Sequence, residues 1–192
     1  MLKFKELSDL ELLQEVAQYE SRALEELYER YSPLLYTLIK KISPDQKTAE
    51  SILVDVFVVI WRKAAKFNFV SGNVYTWLVM LARNKAVDNL RRSRSSSATL
   101  DFYDDDFEDY YILPTFPRDI EALDFASANE LKPKVERALA KLTDTQKYVI
   151  HLAFYEGYTI GEIAEKLNVP IETVRNKIMT ALQNLREQMR LM

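Results

Sequence analysis

The residue types best suited to work on another molecule are gathered near one end of the sequence: Glu172, Thr173, Arg175, Asn176 and Lys177. They do not form a catalytic set. The chain has no cysteine and a single histidine, His151. That excludes disulfides, a thiol nucleophile and zinc-finger ligands, and it disfavours His-based metal or triad chemistry. His151 lies in an apolar helical stretch and reads as structural. No catalytic residue, metal ligand or cofactor is expected. What the cluster offers is hydrogen bonding: Arg and Lys suit guanine, and Asn suits adenine.

These side chains need a scaffold, and the stretch from Thr159 to Leu185 supplies one. Thr159 and Glu162 form a capping box that opens a helix. Ile160, Ile163, Ala164 and Leu167 give that helix an apolar face. Asn168-Val169-Pro170 stops it, because Pro170 disfavours helical geometry at Val169 and suits the start of the next helix. Val174, Ile178, Ala181, Leu182 and Leu185 form the buried stripe of the second helix. The polar cluster lies on the opposite face. A short helix, a three-residue turn and a longer helix with a cationic exposed face is the helix-turn-helix arrangement, whose second helix enters the DNA major groove. A solvated helical hairpin would share the periodicity. The short punctuated turn, the small Ala164 at the close approach and the polar residues in the first turns favour DNA.

The 192 residues, 48% hydrophobic and 29% charged, have a normal globular composition. Three glycines and six prolines, among many Leu, Ala, Glu and Lys, predict an all-α protein. No run of about 18 apolar residues predicts a membrane span, and the amphipathic, acidic first 16 residues do not read as a signal peptide. A cytoplasmic protein without membrane insertion is expected. The net charge of −3 hides an asymmetry. Residues 1–92 carry 14 Lys/Arg against 12 Asp/Glu, residues 93–130 carry 2 against 10, and residues 131–192 carry 10 against 7. Two helical domains, 1–92 and 130–192, are therefore predicted on either side of an acidic flexible linker, 93–129. Its DFYDDDFEDYY lacks the glycine punctuation of a calcium loop, so solvation is preferred to metal binding.

Within the first domain, Ser8 and Glu11 form a capping box for a helix over about 9–19. A second helix is predicted over 21–31, and Ser32-Pro33 restarts the chain as a third, with Leu34, Leu35, Leu38, Ile39 and Ile42 apolar. A long segment from Pro44-Asp45 to about Lys66 places Ala49, Ile52, Leu53, Val56, Phe57, Ile60 and Trp61 on one stripe. Val54, Val58 and Val59 lie off it, which implies burial on a second side or a partner. Residues 67–73 read as a loop with two aromatics. Residues 74–92 read as a helix ending in a basic half, part of which suits the helix dipole. In the second domain a helix is predicted over 130–141. Thr143 and Gln146 cap another, which Gly157 ends.

With both halves in view, the chain resembles an extracytoplasmic-function sigma factor, a small member of the main bacterial sigma family. The words that carry the resemblance are LEELYERYSPLLYTL, AESILVDVFVVIW and YTWLVMLARNKAVDNLRR, then LTDTQKYVIHLAFYEGYTIGEIAEKLNVPIETVRNKI. The most specific matches the family's W-L-x-x-I-A-R-N-x-x-x-D-x-x-R through Trp77, Leu78, Ala82, Arg83, Asn84, Asp88 and Arg91. The resemblance implies promoter-specific initiation with RNA polymerase core and promoter DNA as partners, an anti-sigma factor as a further candidate partner, and no enzyme activity. It implies polymerase core binding through Glu50, Asp55, Val56, Phe57 and Trp61. It implies minus-ten element recognition and melting through Phe67, Asn68, Phe69, Ser71, Asn73, Arg83, Asn84, Lys85, Arg91 and Arg92, and minus-thirty-five recognition through Glu172, Thr173, Arg175, Asn176 and Lys177. Physics is compatible: cations contact phosphates, Phe67, Phe69 and Tyr75 can stack on unpaired bases, and Asn or Ser can read a flipped base. Trp77 is expected mainly to pack in the core.

The sequence also departs from the family. Ser51 and Val54 replace an acid and an amide in the D-L-V-Q-(E/D)-V-F word, Glu172 stands where glycine is frequent, and Asn176-Lys177 where Ser-Arg is frequent. Two other readings stay open on sequence alone: an operator-binding regulator, and a helical adaptor that binds a protein through residues 52–61.

Overall fold

In the computed structural model the described residues are 3–67, 69, 72–94 and 125–190. Every extended element among them is an α-helix: α1 Asp9–Ala17, α2 Ser21–Ile42, α3 Gln46–Lys63, α4 Val74–Arg94, α5 Phe125–Ala140, α6 Asp144–Phe154, α7 Ile160–Leu167 and α8 Ile171–Arg190. Short 3-10 turns cover Phe4–Glu6 and Ala64–Lys66. The described residues divide into two compact units, one made mainly from residues up to 90 and one made mainly from 128 onward.

The helix starts obey local chemistry. Ser8, Thr143 and Thr159 each accept from the backbone N–H three residues on, while Glu11, Gln146 and Glu162 accept from the cap's own backbone N–H. All three predicted capping boxes are present, and each satisfies two amides that a helix start leaves without partners. Asp45 caps α3 by accepting from the Thr48 backbone at 2.8 Å. That bond, with a second from the Thr48 hydroxyl, holds the Asp45 carboxyl below its ordinary pKa. Helix ends are equally local. Asn168 closes α7 in the left-handed region at φ 51°, which Asn tolerates, and Gly157 takes φ 68° after α6.

The first unit is built around α2. Its buried residues Ala23, Leu27, Tyr31, Leu35, Ile39 and Ile42 run its whole length. Leu12, Leu13 and Val16 of α1 and Ala49, Ile52, Leu53, Val56, Phe57 and Ile60 of α3 complete the seam, and Val74, Leu78, Ala82, Ala86 and Val87 of α4 are buried as well. Arg30 fastens the chain's beginning to α2. Its guanidinium donates to the Leu7 carbonyl at 2.9 Å and to Asp9 at 3.0 Å, and its Nε donates to Glu26 at 2.8 Å. Tyr31 donates to the other Asp9 oxygen. Burial opposes the Arg30 charge, but the bonds to Glu26 and Asp9 outweigh it, and its pKa is raised.

One helix prediction is corrected here. Pro33 does not restart the chain: residues 21–42 form a single helix with Pro33 inside it. Pro33 faces solvent, so the carbonyl left without an N–H partner can be hydrated, and its ring stays outside the core. The continuous buried stripe from Ala23 to Ile42 outweighs the local penalty. Boundaries also move at the predicted linker. Ser93 and Arg94 finish α4, and α5 begins at Phe125, while residues 95–124, including the acidic aromatic run, lie outside the described residues.

The second unit packs Val149, Leu152, Ile163, Ala164, Val174 and Ile178 as one buried cluster, with Tyr158, Ile160, Leu167, Val169 and Leu182 at its margin. Ala164, 4% exposed, sits where α7 meets its neighbours, and a larger side chain would hold them apart.

Pro33 gives a direct test. Pro33→Ala restores a backbone donor in an exposed helix interior, and it is expected to stabilise the protein by about 1–2 kcal/mol after the added unfolded-state entropy is counted. The measurement is the shift of the denaturant unfolding midpoint. A neutral or destabilising result would place a real helix boundary at Pro33.

Candidate nucleic-acid and polymerase interfaces

On α8 the period of the helix separates two functions. Val174 is 1% exposed and Ile178 is 3% exposed, with Ala181 fully buried. Glu172, Thr173, Arg175, Asn176 and Lys177 are all exposed. The structure therefore brings the five sequence-predicted side chains together on one open face over the first two turns. Glu172 and Arg175 are paired there at 2.6 Å. The face continues to Met179, 62% exposed and one turn beyond Arg175. Sequence reasoning misses Met179 because an apolar residue there is not counted with the polar ones. Its i+7 spacing from Glu172 is the available signal.

The basic half of α4 divides differently from expectation. Arg83 is 3% exposed and Asn84 is 4% exposed, and the Arg83 guanidinium donates to the Asn84 side-chain oxygen at 2.9 Å. Both belong to the interior of the first unit, so neither reaches a phosphate or a base from this conformation. A charge survives burial only when it is hydrogen-bonded, and Asn84 supplies a partner for it. Lys85 and Arg91 are half-buried, and Arg92 is exposed. Asn73 has a local structural role. Its side-chain oxygen accepts from the Thr76 backbone at 2.8 Å, which makes it the cap of α4 and takes that acceptor away from base reading.

In the loop before α4, Asn68 and Ser71 lie outside the described residues. Phe67 and Phe69 are half-buried with ring centroids 5.2 Å apart, and Phe67 also meets Trp77 at 5.4 Å. Trp77 keeps partial exposure, so it packs on the loop without being sealed into the core. Tyr75 meets Tyr31 at 6.2 Å, and burial pushes its phenol pKa up.

On α3 the predicted polymerase contacts also separate. Glu50 and Asp55 are exposed, and Trp61 is half-buried with Tyr19 edge-on at 5.5 Å. Val56 is fully buried and Phe57 is 6% exposed, so these two hold the fold and are withdrawn as direct contacts. The same 3.6-residue count that makes them a core stripe excludes them from the surface. Val54, 60% exposed, and Val58, 39% exposed, lie beside Asp55 as an apolar surface. His151 lies on the open side of α6, with Nε2 3.4 Å from Glu156 Oε1. Among the described residues no group of three His, Cys, Asp or Glu could hold a metal ion, and no helix is long and apolar enough to cross a membrane.

Comparison with known proteins matches Sigma-70 region 2 over residues 27–96 and Sigma-70 region 4 over residues 138–187. The first match contains the α3 and α4 surfaces, and the second contains the whole of α7 and most of α8. The chain belongs to the extracytoplasmic-function sigma factors. It is 29% identical to the ECF RNA polymerase sigma factor SigK of Mycobacterium tuberculosis, over 93% of this chain and 92% of that protein. The SigK of Mycolicibacterium vanbaalenii is 28% identical, over 92% and 86%. A solved structure of CnrH in complex with the cytosolic domain of CnrY is 20% identical, covering 95% of this chain and 97% of that chain with a TM-score of 0.40. As an RNA polymerase sigma factor, the protein works in transcription with RNA polymerase and promoter DNA.

The divided α4 surface makes a prediction. Arg83→Ala empties a buried, hydrogen-bonded position and is expected to cost about 2–3 kcal/mol of folding stability. Arg92→Ala on the exposed side should change stability by less than about 0.5 kcal/mol. Denaturant unfolding of the two variants measures this. Equal, small effects would mean that Arg83 is accessible after all.

Proposed function

We propose that this sigma factor reads its promoters through two separate surfaces and docks on polymerase core through a third. The exposed face of α8 reads the upstream, minus-thirty-five element. Thr173, Arg175, Asn176 and Lys177 present donors to base edges, and the buried Val174, Ile178 and Ala181 keep that face turned outward. This division of α8 is the observation that carries the reading.

The minus-ten element falls to the loop and α4 in the first unit. Phe67 and Phe69 offer partly open aromatic faces for an unpaired base, and Asn68 and Ser71 supply the loop's polar groups. Lys85, Arg91 and Arg92 draw the phosphate backbone. Polymerase core is held by the outer surface of α3, where Glu50 and Asp55 supply charge and Val54, Val58 and Trp61 supply apolar area. The same exposed valines are what an anti-sigma factor would have to cover to keep the protein from polymerase. The chain acts in the cytoplasm and carries out no catalysis of its own.

The three surfaces should fail independently. Arg175→Ala and Lys177→Ala are each expected to lower transcription from cognate promoters by roughly tenfold, the scale of one lost base contact, with core binding unchanged. Asp55→Ala should weaken core binding while the DNA preference of the assembled holoenzyme stays the same. Pull-down with core polymerase and run-off transcription read the two activities. Loss of both by either class of variant would mean that the surfaces have been misassigned.

A further inference from the structure

Glu172 is an unexpected residue on a surface that meets DNA. Among the first two turns of α8 it is the one carboxylate, beside Arg175, Asn176 and Lys177. A carboxylate there repels phosphate, and it occupies the first turn of a helix, where the dipole would otherwise favour a phosphate. Its local partner explains what it does instead. Glu172 Oε1 accepts from Arg175 Nη1 at 2.6 Å, across one helical turn, with both side chains more than half exposed. An ion pair this exposed contributes little to folding. It does restrict a long side chain that would otherwise sample many rotamers, and it leaves the remaining guanidinium N–H groups free of Glu172.

We propose that Glu172 is a specificity-determining positioning residue: it holds the Arg175 guanidinium in place to donate to a guanine edge and keeps it from neighbouring phosphates. The inference rests on the proposed reading of the upstream element by α8. Arg is the usual bidentate partner of guanine O6 and N7, but the same fork binds phosphate equally well. A phosphate contact adds affinity for any sequence, whereas a base contact separates one sequence from another. Holding Arg175 against Glu172 shifts it from the first use to the second. The cost is one unit of negative charge near DNA, which lowers sequence-independent affinity and thereby widens the gap between right and wrong sites.

The test uses the full chain assembled with core polymerase, transcribing from a promoter library randomised across the upstream element, at several salt concentrations. Wild type should show a guanine preference at one position. Glu172→Ala should reduce that preference by about tenfold or more, raise output from mismatched promoters, and steepen the salt dependence by about one phosphate contact. Glu172→Gln keeps an oxygen that accepts from the guanidinium, so it should retain most of the preference. Arg175→Ala should abolish the preference, and the Glu172→Ala, Arg175→Ala double variant should be no worse at that position. The inference is overturned if Glu172→Ala leaves the preference profile unchanged, or scales output from every promoter by the same factor. A wild-type protein indifferent to the upstream element would remove the reading of α8 and this inference together, and that outcome is visible before any variant is compared.

Discussion

A helix with 3.6 residues per turn can bury only one of its faces against a small domain, and this constraint sets the placement of α8. Val174 and Ile178 join Val149, Leu152, Ile163 and Ala164 in one cluster, so the rotation of α8 about its axis is fixed. Turning it to hide Arg175 or Lys177 would expose the valine and isoleucine and drive charge into the interior, a cost of several kcal/mol from lost burial and desolvation. The interface proposed for DNA is therefore held by residues that never touch DNA. The capping box at Thr159, the left-handed Asn168 and the small Ala164 all serve this one placement, by fixing where α7 begins, where it stops and how closely α8 approaches.

The first unit obeys the same rule, and there it reassigns residues. Val56 and Phe57 lie between Asp55 and Val58 in sequence but on the far side of α3 in space. Arg83 and Asn84 show the same pattern on α4, where a charged residue in a basic stretch turns inward and is hydrogen-bonded there. What remains outside is a narrower and more coherent set: two acids and two valines on α3, and the exposed end of α4. A modest positive charge in each module suits a protein whose contacts are shared. When one DNA contact and the polymerase hold a complex together, the second DNA contact acts at high effective concentration and need not be strong alone.

Much of this is legible in the sequence, for reasons tied to distance along the chain. The capping boxes at Ser8, Thr143 and Thr159 are interactions between residues three apart, so the sequence states both partners. The apolar stripe of α8 and its polar face are likewise set by local period. Pro33 misleads because the force that keeps α2 continuous comes from α1 and α3, which pack along it, and no local rule contains them. Arg83 misleads because residue type reports charge but not direction: the burial of one arginine and the exposure of Arg92 in the same helix depend on what α4 packs against. Asn73 illustrates a third limit, since a cap and a base-reading amide require the same side chain. The Glu172–Arg175 pair is within reach of sequence reasoning, as an i,i+3 spacing of opposite charges, but its geometry gives it meaning.

The most direct measurement is promoter-specific initiation compared with DNA binding by the protein alone. Run-off transcription is carried out with core polymerase on promoters whose upstream and downstream elements are intact, scrambled singly or scrambled together, and duplex binding is measured on the same DNA without polymerase. The expected result is weak, poorly discriminating binding alone and specific initiation with core that falls when either element is scrambled. Tight, sequence-specific binding of one duplex site by the protein alone, with no initiation from it when core is added, would contradict reading shared between two modules and polymerase.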